Sequence, residues 1–210
     1  GRGAKEKIFE RMNGESGKYE IAGSCSEFVS VSLDPNGGTV SPTELMVEYG
    51  KKANLPTPTY VGHTFNGWYT QLNNGNLIRS NHVWKEDATI YAHWTINVYT
   101  VTFDYQGGTG DKSYVSVTHG NTIELPEPTK EHYIFDGWYT AKTGGTVFTT
   151  QTVVTQSQTI YAHWVPEKHT ITFDPQGGTV SPTSMQVDHG QTLLLPEAEK
   201  SNYIFNGWIA

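Results

Sequence analysis

Eight histidines, three aspartates beside paired glycines, one cysteine and a set of tryptophans and tyrosines are what this 210-residue chain offers for chemistry. His93 and His163 lie in matching Tyr-Ala-His-Trp segments, where imidazoles could ligate a metal or respond to pH. Each alternates with apolar neighbours, so an outward, solvent-exposed place on a strand is the simpler reading. His119 and His189 precede a glycine, and Tyr49 stands at the same place earlier in the chain. Tyrosine is a poor substitute for a ligand, so a space-filling role is expected there. His132 and Tyr133 correspond to Gly62 and His63, which leaves no fixed chemistry at those positions. Asp34, Asp104 and Asp174 precede glycines, as calcium ligands can. An EF-hand loop, however, needs several oxygen ligands at alternate positions and a terminal Glu. Pro35-Asn36-Gly37-Gly38 supplies one further side-chain oxygen, so Asx-turns are the expectation. Cys25 alone can form neither an internal disulfide nor a thiolate zinc site. No cofactor and no metal site is expected.

The aromatics are the most ambiguous set. Trp68, Trp94, Trp138, Trp164 and Trp208 recur at equivalent places and are expected in cores. Trp84 differs, because Val154 stands at its equivalent position, so nothing obliges an indole there. Trp84, with Tyr69, Tyr139, Tyr91 and Tyr161, forms the candidate ligand-binding set, since exposed aromatics serve sugar- and protein-binding surfaces. The chain has no Gly-x-Ser-x-Gly, His-Glu-x-x-His, Walker-type or dinucleotide motif, and no recurring carboxylate pair that would set acid against base. It is therefore not expected to be an enzyme.

What must position these residues is a repeat. Asp34, Asp104 and Asp174 each open an Asp-x-x-Gly-Gly-Thr run, 70 residues apart. Gly67-Trp68, Gly137-Trp138 and Gly207-Trp208 keep that spacing, as do Gly50, Gly120 and Gly190, and Pro56, Pro126 and Pro196. A fixed period of this length marks an array of small modules. The expected organisation is an N-terminal segment, 1–28, read as the tail of an upstream domain, then copies at 29–94, 99–164 and 169–210. The third copy is truncated and lacks its last strand, and the chain is read as a fragment. Modules this small bury only about 60% of their unfolded surface and usually need staples. With a single cysteine there are none, so aromatic bulk must close the cores.

Within the second copy, Tyr99, Val101 and Phe103 alternate with polar residues, as in a half-buried strand. Val115 and Val117 read as its hairpin partner, across a glycine-rich turn. Pro126 and Pro128 bar a regular element in the connector that follows, and one helical turn is expected at 128–131. Residues 133–139 read as a third strand with an interior glycine, attributed to tryptophan packing over a bare Cα. Residues 159–164 form the last strand. The four-residue connections 95–98 and 165–168 read as short linkers giving a semi-rigid rod. Lys5 to Met12 reads as a helix.

Three ordered motifs, the Asp-x-x-Gly-Gly-Thr turn, Phe-x-Gly-Trp-Tyr and Thr-Ile-Tyr-Ala-x-Trp, recur about every 70 residues. In this the chain resembles the Listeria–Bacteroides repeat, the B-repeat of internalin B-type surface proteins, over 29–210. The third copy departs with Ile209 where Tyr69 and Tyr139 stand. The resemblance implies a mainly β or small α+β fold, in tandem β-grasp-like, ubiquitin-like modules forming an extended array. It also implies a secreted, cell-surface or wall-attached bacterial protein, and it brings no catalytic residues. The function expected is a stalk or spacer and multivalent protein-interaction (adhesion) module, with a glycan-binding module using the exposed aromatics as the alternative. The partner would be a surface protein or glycan of a host or neighbouring cell. Nucleic acid is not expected, because a net charge of −7 supplies no basic stripe for phosphates. Membrane insertion within this segment is not expected either, because no apolar run reaches 18 residues.

Overall fold

The computed structural model describes residues 25–209. The helix expected at Lys5 to Met12 lies outside them. The described residues are all β, with no helix. They divide into two compact units. One holds the described residues through 60 together with 65–94, and the other holds 61–64 together with 95 onward.

Apart from the first two residues of β3 and the last two of β4, the first unit holds β1 (Phe28–Asp34), β2 (Glu44–Glu48), β3 (His63–Tyr69) and β4 (Ala88–Ile96), which form one sheet in the order β2-β1-β4-β3. β1 and β2 pair antiparallel, with Val31 opposite Leu45, whereas β1 and β4 run parallel, with Leu33 opposite Ile90. The apolar alternation in β1 turns Val29, Val31 and Leu33 inward, and all three are buried. They join Val47, Trp68, Trp84, Ile90 and Ala92 in one core.

The second unit repeats this plan. β5 (Val98–Asp104), β6 (Tyr114–Thr118), β7 (Tyr133–Tyr139), β8 (Val147–Phe148) and β9 (Gln158–Pro166) give the order β6-β5-β9-β7-β8. Its core is Val101, Phe103, Val117, Ile123, Trp138, Phe148, Val154, Ile160 and Ala162. Each of the two cores is thus drawn from a single 70-residue copy. The same unit also holds β10 (Lys168–Thr172), β11 (Thr179–Val180), β12 (Ser184–Asp188) and β13 (Ala198–Glu199), as a β10–β12 hairpin and a β11–β13 pair. There Phe173 is buried and packs against Trp208 at 5.0 Å between ring centroids. Trp208 is half-buried where Trp138 is buried, while Phe205 and Phe135 are both half-buried. Residues 203–209 form no strand, whereas their counterparts in the second copy, 133–139, form β7 and pair with β9.

Three local expectations are corrected. Residues 128–131 form no helical turn. Thr129 bridges Thr109 through a reciprocal pair of backbone hydrogen bonds, 2.8 and 2.9 Å, which holds the connector extended. No indole packs over Gly137. The ladder of β7 with β9 shifts register between Phe135 and Gly137, and Gly137 has φ +124°, a bulge geometry that L side chains avoid. The bare Cα under a tryptophan is elsewhere: a Cβ on Gly108 would lie 2.4 Å from the Trp164 ring, and one on Gly38 would lie 2.7 Å from Trp94. Finally, the four-residue connections are largely absorbed into strands. β4 ends at Ile96 and β5 begins at Val98, and β9 ends at Pro166 and β10 begins at Lys168. A single residue, Asn97 or Glu167, separates them.

The Asx-turns form as expected. The Asp34, Asp104 and Asp174 carboxylates accept from the backbone N–H two residues on, at 2.8 to 3.0 Å.

Candidate functional site

Strand alternation sorts the aromatics. On β9, Ile160 and Ala162 face the core, so Tyr161 and His163 face out. Tyr139 on β7 is the direct cross-strand partner of Tyr161, and Gly137 is the partner of His163. The Tyr139 ring stacks on His163, 3.9 Å between centroids and 6° between planes. His163 Nε2 lies 2.8 Å from the Ala141 carbonyl oxygen. A carbonyl only accepts, so Nε2 carries the proton, and the ring pins the turn after β7. The first copy reproduces this. Tyr69 and His93 stack at 3.9 Å and 6°, and His93 Nε2 lies 2.9 Å from Gln71 O.

Tyr69, Tyr91, Tyr139 and Tyr161 are all half-buried, as are His93 and His163. His93 and His163 thus face outward as the alternation implies, but they are half-buried and not open to solvent. Turn contact and ring stacking cover them. Lys142 Nζ lies 5.9 Å from the Tyr161 ring centroid. The result is a half-exposed tyrosine–histidine stack in each of the first two copies, with Tyr161 directly across from Tyr139 in the second. Stacked rings lose little rotamer entropy when a partner binds, which suits such a patch to protein contacts.

Trp84 does not join it. It is 3% exposed and its backbone pairs with Lys51. Val154 takes the same place in the second copy, with N–H and C=O bonded to Asn121 and Gly120. The difference in bulk is compensated nearby: Ile78 beside Trp84 is replaced by Phe148 beside Val154. A large–small pair has been exchanged, and that exchange, readable in the aligned copies, marks Trp84 as a core residue. The repeated indoles share one device. Trp68, Trp138 and Trp208 donate Nε1–H to the carbonyls of Pro56, Pro126 and Pro196, at 2.7 to 3.0 Å. Trp94 and Trp164 donate to Pro35 and Tyr105 at 2.9 and 2.8 Å.

A second cluster was not legible within any one copy. Among the described residues, His132, His169 and His189 are a group that could hold a metal, with one ring nitrogen each within 4.8 Å of the others. They meet where β9 passes into β10. The equivalent positions 70 residues earlier are Gly62, Tyr99 and His119. There the Tyr99 hydroxyl lies 3.3 Å from His119 Nδ1, and a Cβ on Gly62 would strike the His119 ring at 2.1 Å. His119 is thus packed, as expected of a space-filling residue. The signal that could have found the cluster is that both replacements, Gly62 by His132 and Tyr99 by His169, fall around one junction.

The family model for the Listeria-Bacteroides repeat domain matches residues 30–93, 99–163 and 169–210. Among curated proteins, the chain is 34% identical over 185 residues to a protein of Evansella cellulosilytica provisionally named a membrane protein, covering 85% of this chain and 27% of that one. It is 38% identical over 147 residues to Internalin H of Listeria monocytogenes, covering 67% of this chain and 25% of that protein. The chain therefore spans about a quarter of the length of these relatives.

Proposed function

The chain belongs to the Listeria-Bacteroides repeat domain family, and from that premise we propose that it is a non-enzymatic stalk and multivalent protein-interaction segment of a secreted or cell-surface protein. The observation that carries this reading is that each complete copy closes its own core. Val31, Trp68 and Ile90 lie in a core cluster drawn from the first copy, and Val101, Trp138 and Ile160 in one drawn from the second. Modules built this way can be added or lost without disturbing a neighbour's interior, as a spacer of adjustable length requires. The mixed sheet with a parallel central pair supports a β-grasp-like module, with the proline-bearing connector in place of a helix.

The stacked patches Tyr69–His93 and Tyr139–His163, flanked by Tyr91 and Tyr161, present one surface twice. Tandem presentation raises avidity without any new contact. The partner proposed is a surface protein of a host or neighbouring cell. An antibody raised against this chain should label intact cells of the source organism, or its culture medium. Labelling seen only after lysis would overturn the proposal.

A further inference from the structure

We infer that His132, His169 and His189 form a binding site for a divalent transition-metal ion of the zinc class, which ties the second copy to the third. One ligand comes from the turn before β7. The second is on β10, and the third follows β12 directly. Three imidazoles on three separate elements converge here, with ring nitrogens within 4.8 Å of one another. Tetrahedral zinc with Zn–N of about 2.0–2.1 Å sets its nitrogens about 3.4 Å apart, so closure takes movements on the order of 1 Å. His132 and His189 are stacked at 4.1 Å and 19°, and they must splay so that their lone pairs converge. All three rings are exposed or half-exposed, which leaves room for that rotation.

His132 takes the left-handed φ of its turn, +64°, as Gly62 and Asn202 do at the same place in the other copies, at +72° and +68°. Each nitrogen of His132 also faces a carboxylate: Glu131 Oε1 is 3.4 Å from Nε2, and Glu167 Oε2 is 3.8 Å from Nδ1. The two carboxylates add negative charge beside the ring, which favours a cation there. The backbone frame is already fixed. Glu167 N–H donates to His132 O at 2.9 Å, and His189 N–H donates to Glu167 O at 2.8 Å. Imidazoles select zinc, copper or nickel over calcium and magnesium, which want oxygen. At the first junction the same frame, Gly62, Asn97 and His119, carries one imidazole beside Tyr99.

The test is calorimetric titration of the full chain, in a Cys25→Ser background so that the exposed thiol cannot contribute, with Zn2+ and separately Ca2+. One Zn2+ per chain should bind, and Ca2+ should not. His132→Gly and His169→Tyr place at each position the residue this chain already uses at its first junction, so the fold tolerates them. Each should weaken Zn2+ binding roughly tenfold or more. His119→Tyr, which reproduces Tyr49, should leave it unchanged. Zinc-induced shifts of the ring signals of His132, His169 and His189 in nitrogen-detected NMR of the unsubstituted chain give an independent reading. Absence of binding, or affinity insensitive to His132→Gly and His169→Tyr, would overturn the inference. So would ring shifts confined to His93 and His163. Labelling of intact cells tests a different claim, so failure of the surface-protein reading leaves this result standing.

Discussion

Alternation along β1 turns Val29, Val31 and Leu33 into one core, and alternation along β5 turns Val101 and Phe103 into the other, with Tyr99 half-buried at its margin. Trp84 joins the first of these cores although nothing at its own position in the repeat calls for an indole. Its bulk is balanced by the smaller Ile78, as Val154 is balanced by Phe148. Trp84→Val should therefore destabilise the first unit by about 2–4 kcal/mol, as a large-to-small core change. Adding Ile78→Phe should recover roughly 1 kcal/mol or more, because the lost volume returns in the same core. Denaturant unfolding of the single and double variants measures both, and simple additivity would refute the exchange. Nothing local in Tyr-Ala-His-Trp reveals that His163 reaches the Ala141 carbonyl, because the turn that supplies the acceptor is 22 residues away.

Elements followed from their turns. The Asp-x-x-Gly-Gly-Thr run closes the β1–β2 and β5–β6 hairpins through an Asx-turn, and its second glycine lets an indole from the last strand lie on the backbone. Gly108 carries this load in the second copy. Gly108→Ala would place a methyl 2.4 Å from the Trp164 ring and 2.9 Å from Thr129 O. It should displace the indole and break its bond to Tyr105 O, at a cost of about 2–4 kcal/mol. Gly120→Ala makes the comparison, with φ +83° and nothing within 4 Å of its Cβ. That change brings backbone strain alone, about 1–2 kcal/mol. Similar losses for the two variants, read from thermal unfolding, would contradict the indole-on-glycine account. The expected helical turn at 128–131 failed for a related reason. Proline spacing shows where a regular element stops, but not that Thr129 has a partner at Thr109.

The whole molecule is where the 70-residue period told most. The tryptophans other than Trp84 recur on it, and the residues that the family model matches, 30–93, 99–163 and 169–210, follow it. It could not show the junctions, because they are built from residues of two copies read in separate rows. Asn97 and Glu167 look like linker residues in sequence, yet each is held by a backbone bond to either side. Asn97 bonds Gly62 O and His119 N–H, both at 2.8 Å, and Glu167 does the same with His132 and His189. The central claim is that two complete copies each close a core of their own, and pulling the chain from its ends tests it most directly. Single-molecule stretching should show two separate unfolding events for the complete copies, each releasing roughly 200 Å at ~3.6 Å per extended residue. One event releasing both copies together would contradict the account.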